Sequence, residues 1–188
     1  MPAPPITTDE YLRMPETRLP QELVHGVVRD APAPTPGHQD VVGRFHVALV
    51  RHLEEHPVGR VWLSPIDVVL DVARHLVVQP DLILLTNRRL HLVSDRVWGA
   101  PDLVIEVMSP APRIGTLDER LRWFADYGVR ECWLVHQCAE ELDVLAFDGG
   151  RTARRFQADE PLHSIVLPEF RRTLASILGL GHDGVDDI

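Results

Sequence analysis

Pro101 to Pro110 reads PDLVIEVMSP, an apolar run interrupted once, by Glu106. Branched apolar residues packed this densely, closed by Ser109, Pro110 and Pro112, predict a buried strand from Leu103 to Met108. An ionised carboxylate in such a strand costs several kcal/mol unless a cation meets it, so Glu106 is the first residue that needs a role. The pattern occurs upstream as well, in LVVQPDLILLT, Leu76 to Thr86, where Asp81 follows Pro80 and sits between two apolar blocks. Two acids set into two apolar strands are the beginning of a metal site, because carboxylates from neighbouring strands are the usual oxygen ligands of magnesium and manganese.

Working outward, Thr116 to Tyr127 has Leu117, Leu121, Phe124 and Ala125 on one face and Gly128 as its stop, so a helix follows the strand. It leads into ECWLV, Glu131 to Val135, a second buried strand, and the three together predict a right-handed crossover. Upstream, Val41, Phe45, Ala48, Leu49 and Leu53 recur at helical spacing from His38 to Glu55, with Pro57 and Gly59 ending that helix. Arg60 to Leu63, Ile66 to Asp71 and Leu76 to Thr86, the last interrupted at Pro80, read as three strands in succession, a meander. Thr7 and Glu10 have capping-box spacing ahead of a short helix from Thr8 to Met14. QELVHGVVRD reads as one strand with Gly26 as a bulge or close approach. Leu142 to Phe147 and Thr152 to Phe156 flank Gly149-Gly150 as a hairpin, and Ser164 to Leu178 reads as a short strand and a helix. The expectation is one domain over residues 1–188, with an N-terminal helix and loop to about residue 20 and a frayed tail from about residue 182.

Bulk composition narrows the classes. No apolar run approaches the roughly 20 residues of a membrane span, no secretory signal precedes the first helix, and Cys132 and Cys138 are the only cysteines, so a reducing cytoplasm is expected. A net charge of −9 argues against non-specific coating of nucleic acid, although carboxylates gathered around a divalent ion contribute to that total. All 19 cations are Arg and none is Lys. Any mechanism that needs an ammonium group has to proceed without one.

Other constellations carry less. HLEEH, His52 to His56, matches an inverted zinc-protease pattern, but Pro57 stops the helix at once and both histidines fall in its apolar stripe, which makes them core-edge residues. Ser109 lacks a nucleophile elbow, and two cysteines cannot make a zinc knuckle. Arg88, Arg89 and Arg96 beside Trp98 suit either nucleic-acid contact or a solvated loop.

ELVHG, TPGHQD, VVQPDLILL, GAPDLVIEVMSP and DERLRWFADYGVRECWLV, in this order and spacing, resemble the Uma family of restriction-endonuclease-like proteins, a branch of the PD-(D/E)xK nucleases. The resemblance runs from the first helix to about Phe170. It implies an α/β fold with a restriction-endonuclease-like core, a mixed β-sheet flanked by helices, and a divalent metal, Mg2+ or Mn2+. Position by position, it puts the metal-binding acids on Asp81 and Glu106, the first-strand acid on Glu22, and the His that opens the main helix on His38. Many relatives in the superfamily carry a Lys two residues after the Glu, where this chain has Met108; the pattern resembles cases in which the cation sits on the next helix, here Arg120. Cys132 and His136 stand where the family more often has Tyr and Asp.

Arginine holds carboxylates and phosphates in bidentate fashion but is a poor proton carrier, its pKa lying above about 12. Two functions are therefore expected. In one the protein is a metal-dependent DNA endonuclease, with Asp81 and Glu106 on the metal, Glu22 completing the shell, Arg120 on the scissile phosphate and His38 orienting or assisting. In the other it is a nuclease-fold module that binds DNA or partners without turnover. Cutting of both strands by paired sites implies a homodimer.

Overall fold

A computed structural model describes residues 4–15, 19–108, 116–136, 138 and 140–180. Two mixed sheets carry the architecture: in spatial order, a six-stranded one of β11 (Thr152–Phe156), β10 (Glu141–Ala146), β9 (Glu131–His136), β8 (Leu103–Val107), β6 (Leu82–Thr86) and β3 (Gly59–Leu63), and a five-stranded one of β2 (Val27–Asp30), β1 (Gln21–Val24), β5 (Leu76–Val78), β4 (Val68–Asp71) and β7 (Val97–Trp98). The central pair of the larger sheet is β8 (Leu103–Val107) and β9 (Glu131–His136), which run parallel and are joined by α3 (Leu117–Tyr127). This is the crossover the sequence implies. Thr116 caps α3 by accepting from the Glu119 N–H, and Gly128 ends it at φ 91°, a left-handed conformation that glycine adopts without strain.

Strand alternation decides which side chains face which layer. Leu103, Ile105 and Val107 of β8 pack with Leu82 and Leu84 of β6 (Leu82–Thr86) under α2 (Pro36–Glu55) and the C-terminal α4 (Leu174–Leu178). Val104 of β8 and Ile83 and Leu85 of β6 face the other way, into a core shared with α3 and the five-stranded sheet. Glu106 is in register with Val104, so the period of two directs it toward α3. Within the second sheet β1 (Gln21–Val24) turns Val24 into that same core and Leu23 outward under Tyr11 of α1 (Thr8–Leu12). Glu22, in register with Val24, therefore faces Glu106 across the gap between the sheets. Burying branched residues in two such layers contributes about 1.5–3 kcal/mol per side chain, which sets a rigid frame for these acids.

Three sequence readings change. QELVHGVVRD is a hairpin of β1 and β2 (Val27–Asp30), not one strand: His25 and Gly26 both have positive φ, 50° and 82°, as a two-residue primed turn requires. The close approach at Gly26 is real, since a Cβ there would lie 2.5 Å from Pro5 Cβ. The expected meander is split between sheets. β3 (Gly59–Leu63) pairs with β6, while β4 (Val68–Asp71) pairs with β5 (Leu76–Val78). Leu76 to Thr86 is two strands because Pro80, without an N–H, cannot continue a ladder, and Gln79-Pro80-Asp81 carries the chain from one sheet to the other. Near the C-terminus, Ser164 to Phe170 forms no strand; it is held by an isolated bridge of Pro161 to Thr173 and leads to α4.

Other expectations hold. The capping box of Thr7 and Glu10 is formed, although the helix ends at Leu12. β10 (Glu141–Ala146) and β11 (Thr152–Phe156) pair as a hairpin. His52 is buried and meets the Phe170 ring edge-on, consistent with a core-edge residue. No helix among the described residues is long and apolar enough to cross a membrane. The proposed frayed tail, with His182, and the Ser109–Pro112 strand end lie outside the described residues.

Candidate active site

Sheet crossing, strand alternation and α3 together bring Glu22, Asp81, Glu106, Arg120 and His38 to one cavity of about 910 Å3. Arg120 lies at its buried wall. Its Nε donates to Glu106 Oε1 at 2.6 Å and its Nη1 to Glu22 Oε2 at 2.8 Å, bridging the two sheets. All three residues are nearly inaccessible, at 6, 2 and 2 % exposure. Burial disfavours the guanidinium charge, but the carboxylates of Glu106 and Glu22 outweigh it and hold the Arg120 pKa above its ordinary value. Arg120 Nη2 makes no hydrogen bond among the described residues, and the side chain borders the cavity.

Asp81 follows the Pro80 crossing and reaches over to the end of β8, where its Oδ2 accepts the Val107 N–H at 2.7 Å. The same oxygen lies 3.2 Å from His38 Nε2. His38 is the third residue of α2, and its N–H is capped by Thr35 Oγ1. For a neutral ring that donates from Nε2, Nδ1 is the acceptor, and this buried atom has no partner among the described residues.

Several residues of the cavity went unnoticed in the sequence. Gln79 donates its N–H to Glu22 Oε1 at 2.7 Å and its amide Nε2 to Asp67 Oδ1 at 2.8 Å, leaving its buried Oε1 without a partner. Asp67 also accepts from Arg96 Nε at 3.2 Å. The placement of Gln79 before Pro80 was the available signal: at a sheet crossing both flanking side chains turn into the gap. Arg96, one of the loop arginines, is thus a wall of the cavity. Arg89 is structural, since its Nη1 donates to the carbonyls of Ala100 and Gly128, each at 2.9 Å.

The donor set can be tested against a divalent cation. Glu22, Asp81 and Glu106 bring carboxylate oxygens to the cavity, two of them tied to Arg120. Among the described residues no group of three His, Cys, Asp or Glu side chains forms a ready-made cage. Magnesium does not need one, because it keeps waters and takes one or two carboxylates together with substrate phosphate oxygens. Hard-oxygen donors gathered at one cavity fit the chemistry of such an ion.

The fold is that of a nuclease. A solved structure described as a "putative nuclease belonging to DUF820" from Anabaena variabilis ATCC 29413 matches it with a TM-score of 0.80 at 18 % identity, covering 93 % of this chain and 98 % of that one. The family model of Uma2, described as "Putative restriction endonuclease", matches residues 8–175, and the chain belongs to that family. No curated protein matches it.

Proposed function

We propose that the protein is an Mg2+- or Mn2+-dependent endonuclease that hydrolyses phosphodiester bonds of DNA, with residues 1–188 as one endonuclease-like domain. The observation that carries this reading is the convergence of Asp81, Glu106, Glu22, Arg120 and His38 on one cavity. Asp81 and Glu106 would hold the metal, which when bound polarises the phosphate and lowers the pKa of water. Arg120 fixes Glu106 and Glu22 through Nε and Nη1 and offers Nη2 to a phosphate oxygen. Glu22 keeps Arg120 charged and turned toward the cavity. His38 orients or assists at Asp81 through Nε2. A clamped guanidinium stabilises charge without moving a proton, so the lost lysine leaves electrostatic catalysis intact. Action on both strands by a cytoplasmic homodimer completes the proposal.

Plasmid cleavage tests it. Supercoiled DNA should be nicked by wild type in magnesium or manganese, and not with chelator or by Asp81→Ala. A second reading is favoured by one observation: Arg120 is already tied to two carboxylates. On that reading the protein is a nuclease-fold module that binds DNA or partners without cutting, and manganese binding without cleavage under any condition selects it.

A further inference from the structure

A second depression of about 450 Å3 lies between α2 and α4. Its lining includes Arg44, Arg51 and Arg172, all exposed. Asp40, its one acid among the described lining residues, is spent on Arg44, whose Nε donates to it at 2.9 Å. Arg51 and Arg172 make no ion pair with an acid among the described residues. In a chain of net charge −9, Arg51 and Arg172 thus bring two positive charges to one groove.

This groove is not isolated. Gln39 and Gly43 of α2 line both it and the cavity that holds Asp81 and Glu106, so the two depressions share a wall. Gly43 supplies an independent observation. It sits in the interior of a 20-residue helix, where glycine is the poorest residue but proline, and a Cβ there would meet nothing within 4 Å among the described residues. Packing among the described residues therefore does not ask for glycine at this position. A ligand backbone crossing α2 there would.

Resting on the reading of the cavity as a phosphodiesterase site, we propose that the α2–α4 groove carries the phosphate backbone of a DNA duplex from the cavity across Gly43 to Arg51 and Arg172. From Gln39 to Arg51 the helix rises about 18 Å, enough for roughly five phosphates of one strand. No aromatic side chain lines the groove among the described residues, so it offers no platform for splayed bases there and suits a strand whose bases remain paired. Contacts of this kind position the duplex and read no sequence.

Binding of a fluorescein-labelled duplex of about 20 base pairs, followed by anisotropy across a salt series with calcium present, tests this. In the double variant Arg51→Ala/Arg172→Ala the slope of log K against log salt should flatten by about 2, since each phosphate contact contributes about 0.9. Gly43→Leu should weaken binding while leaving the slope in place. Both arginines are exposed, so the fold survives the change, and plasmid cleavage is measured on the same proteins. If the double variant keeps the wild-type slope while cleavage proceeds, the groove assignment is wrong and the cavity reading stands. If slope flattening is confined to a single-stranded oligonucleotide, the duplex assignment is wrong. If wild type neither binds nor cleaves, the cavity reading itself fails, and the groove with it.

Discussion

The tripeptide Pro-Asp-Leu occurs twice, at residues 80–82 and 101–103, and the two copies meet opposite fates. Each precedes one of the antiparallel neighbours β6 and β8. Asp81 Oδ2 accepts the N–H of Val107 at the end of β8, and Asp102 Oδ2 accepts the N–H of Thr86 at the end of β6, both at 2.7 Å. Locally the two acids do the same thing: each caps the neighbouring strand. Asp102 is sealed at 2 % exposure, with the Thr86 hydroxyl on Oδ2 and Arg89 and Arg130 within 3.3 and 3.7 Å of Oδ1. The Asp81 side chain retains 18 % exposure and opens onto the cavity of Glu106 and Arg120. The lesson is that the tripeptide specifies a strand cap, and the sheet end at which the topology leaves it decides whether the carboxylate is sealed in or opens onto the cavity.

The largest expected effect separates the two ends directly. Asp81→Ala should lower metal-dependent plasmid cleavage about 10³-fold, the several kcal/mol a metal ligand contributes to the transition state. It should lower stability by only about 1 kcal/mol, because water in the cavity can reach the Val107 N–H. Asp102→Ala should do the reverse, losing about 3 kcal/mol in urea melts by leaving a buried N–H and a guanidinium without their acceptor. Equal destabilisation by both variants, with cleavage unchanged in Asp81→Ala, would make Asp81 a second structural cap and break the comparison.

Next in size is Arg120→Met. Removing the shared cation strands Glu22 and Glu106 in the interior, at a cost of about 3–5 kcal/mol near neutral pH. The sign of the pH dependence follows. In wild type the Arg120 pKa is held above its ordinary value, so its contribution is complete throughout the acid and neutral range. In the variant the two buried carboxylates lose the cation they share, which favours their neutral forms. Variant stability should then be greatest below the ordinary carboxylate range, near about pH 4, and fall as pH rises. A loss that stays constant with pH would mean the acids find another cation.

A smaller effect belongs to the sealed end. Glu131 is fully buried, and its carboxylate accepts from the Trp133 indole and the Ile165 N–H. Burial raises its pKa above 4.5 despite these bonds. A raised folded pKa means stability that is present below 4.5 and lost as pH rises through the folded value. Glu131→Gln should melt below wild type at pH 4, where one donor loses its acceptor, and the gap should narrow by roughly 3 °C toward pH 8. A constant gap would show that the sealed end does not titrate.

Much of this was legible in the chain. Asp81 and Glu106 stand out as acids in apolar strands, and the period of two already turns Glu106 with Val104. The crossover of β8, α3 and β9 follows from spacing alone. What the spacing could not supply was partner choice across the sheets: Gln79 bonding Glu22, Arg120 taking two acids at once, and the division of Leu76 to Thr86 between sheets depend on contacts distant in sequence. Asp102 and Glu131 were missed for the same reason. Their burial is compensated by Thr86, Ile165 and two arginines brought in from other segments, so nothing in PDLV or ECWLV distinguishes them from solvated strand-end acids. The hairpin at His25-Gly26 was overlooked because a His at positive φ is less recognisable than Asn or Asp in a primed turn.

The smallest effect asks whether the open end is held open against the interest of stability. Gly43 lies on the helix that presents His38 to Asp81, and its site has room for a methyl group that would touch nothing among the described residues. On helix propensity alone Gly43→Ala should stabilise the protein by about 0.8–1 kcal/mol, raising Tm by about 2–4 °C for a chain of this size. No comparable gain is expected beside Asp102, where the surrounding groups are closely packed and every change removes a contact. Stabilisation accompanied by weaker duplex binding would mean that the open end keeps its clearance for a ligand and forgoes stability to do so. Destabilisation would mean that α2 needs glycine for its own packing, and the difference between the two ends would then rest on Asp81 and its neighbours alone.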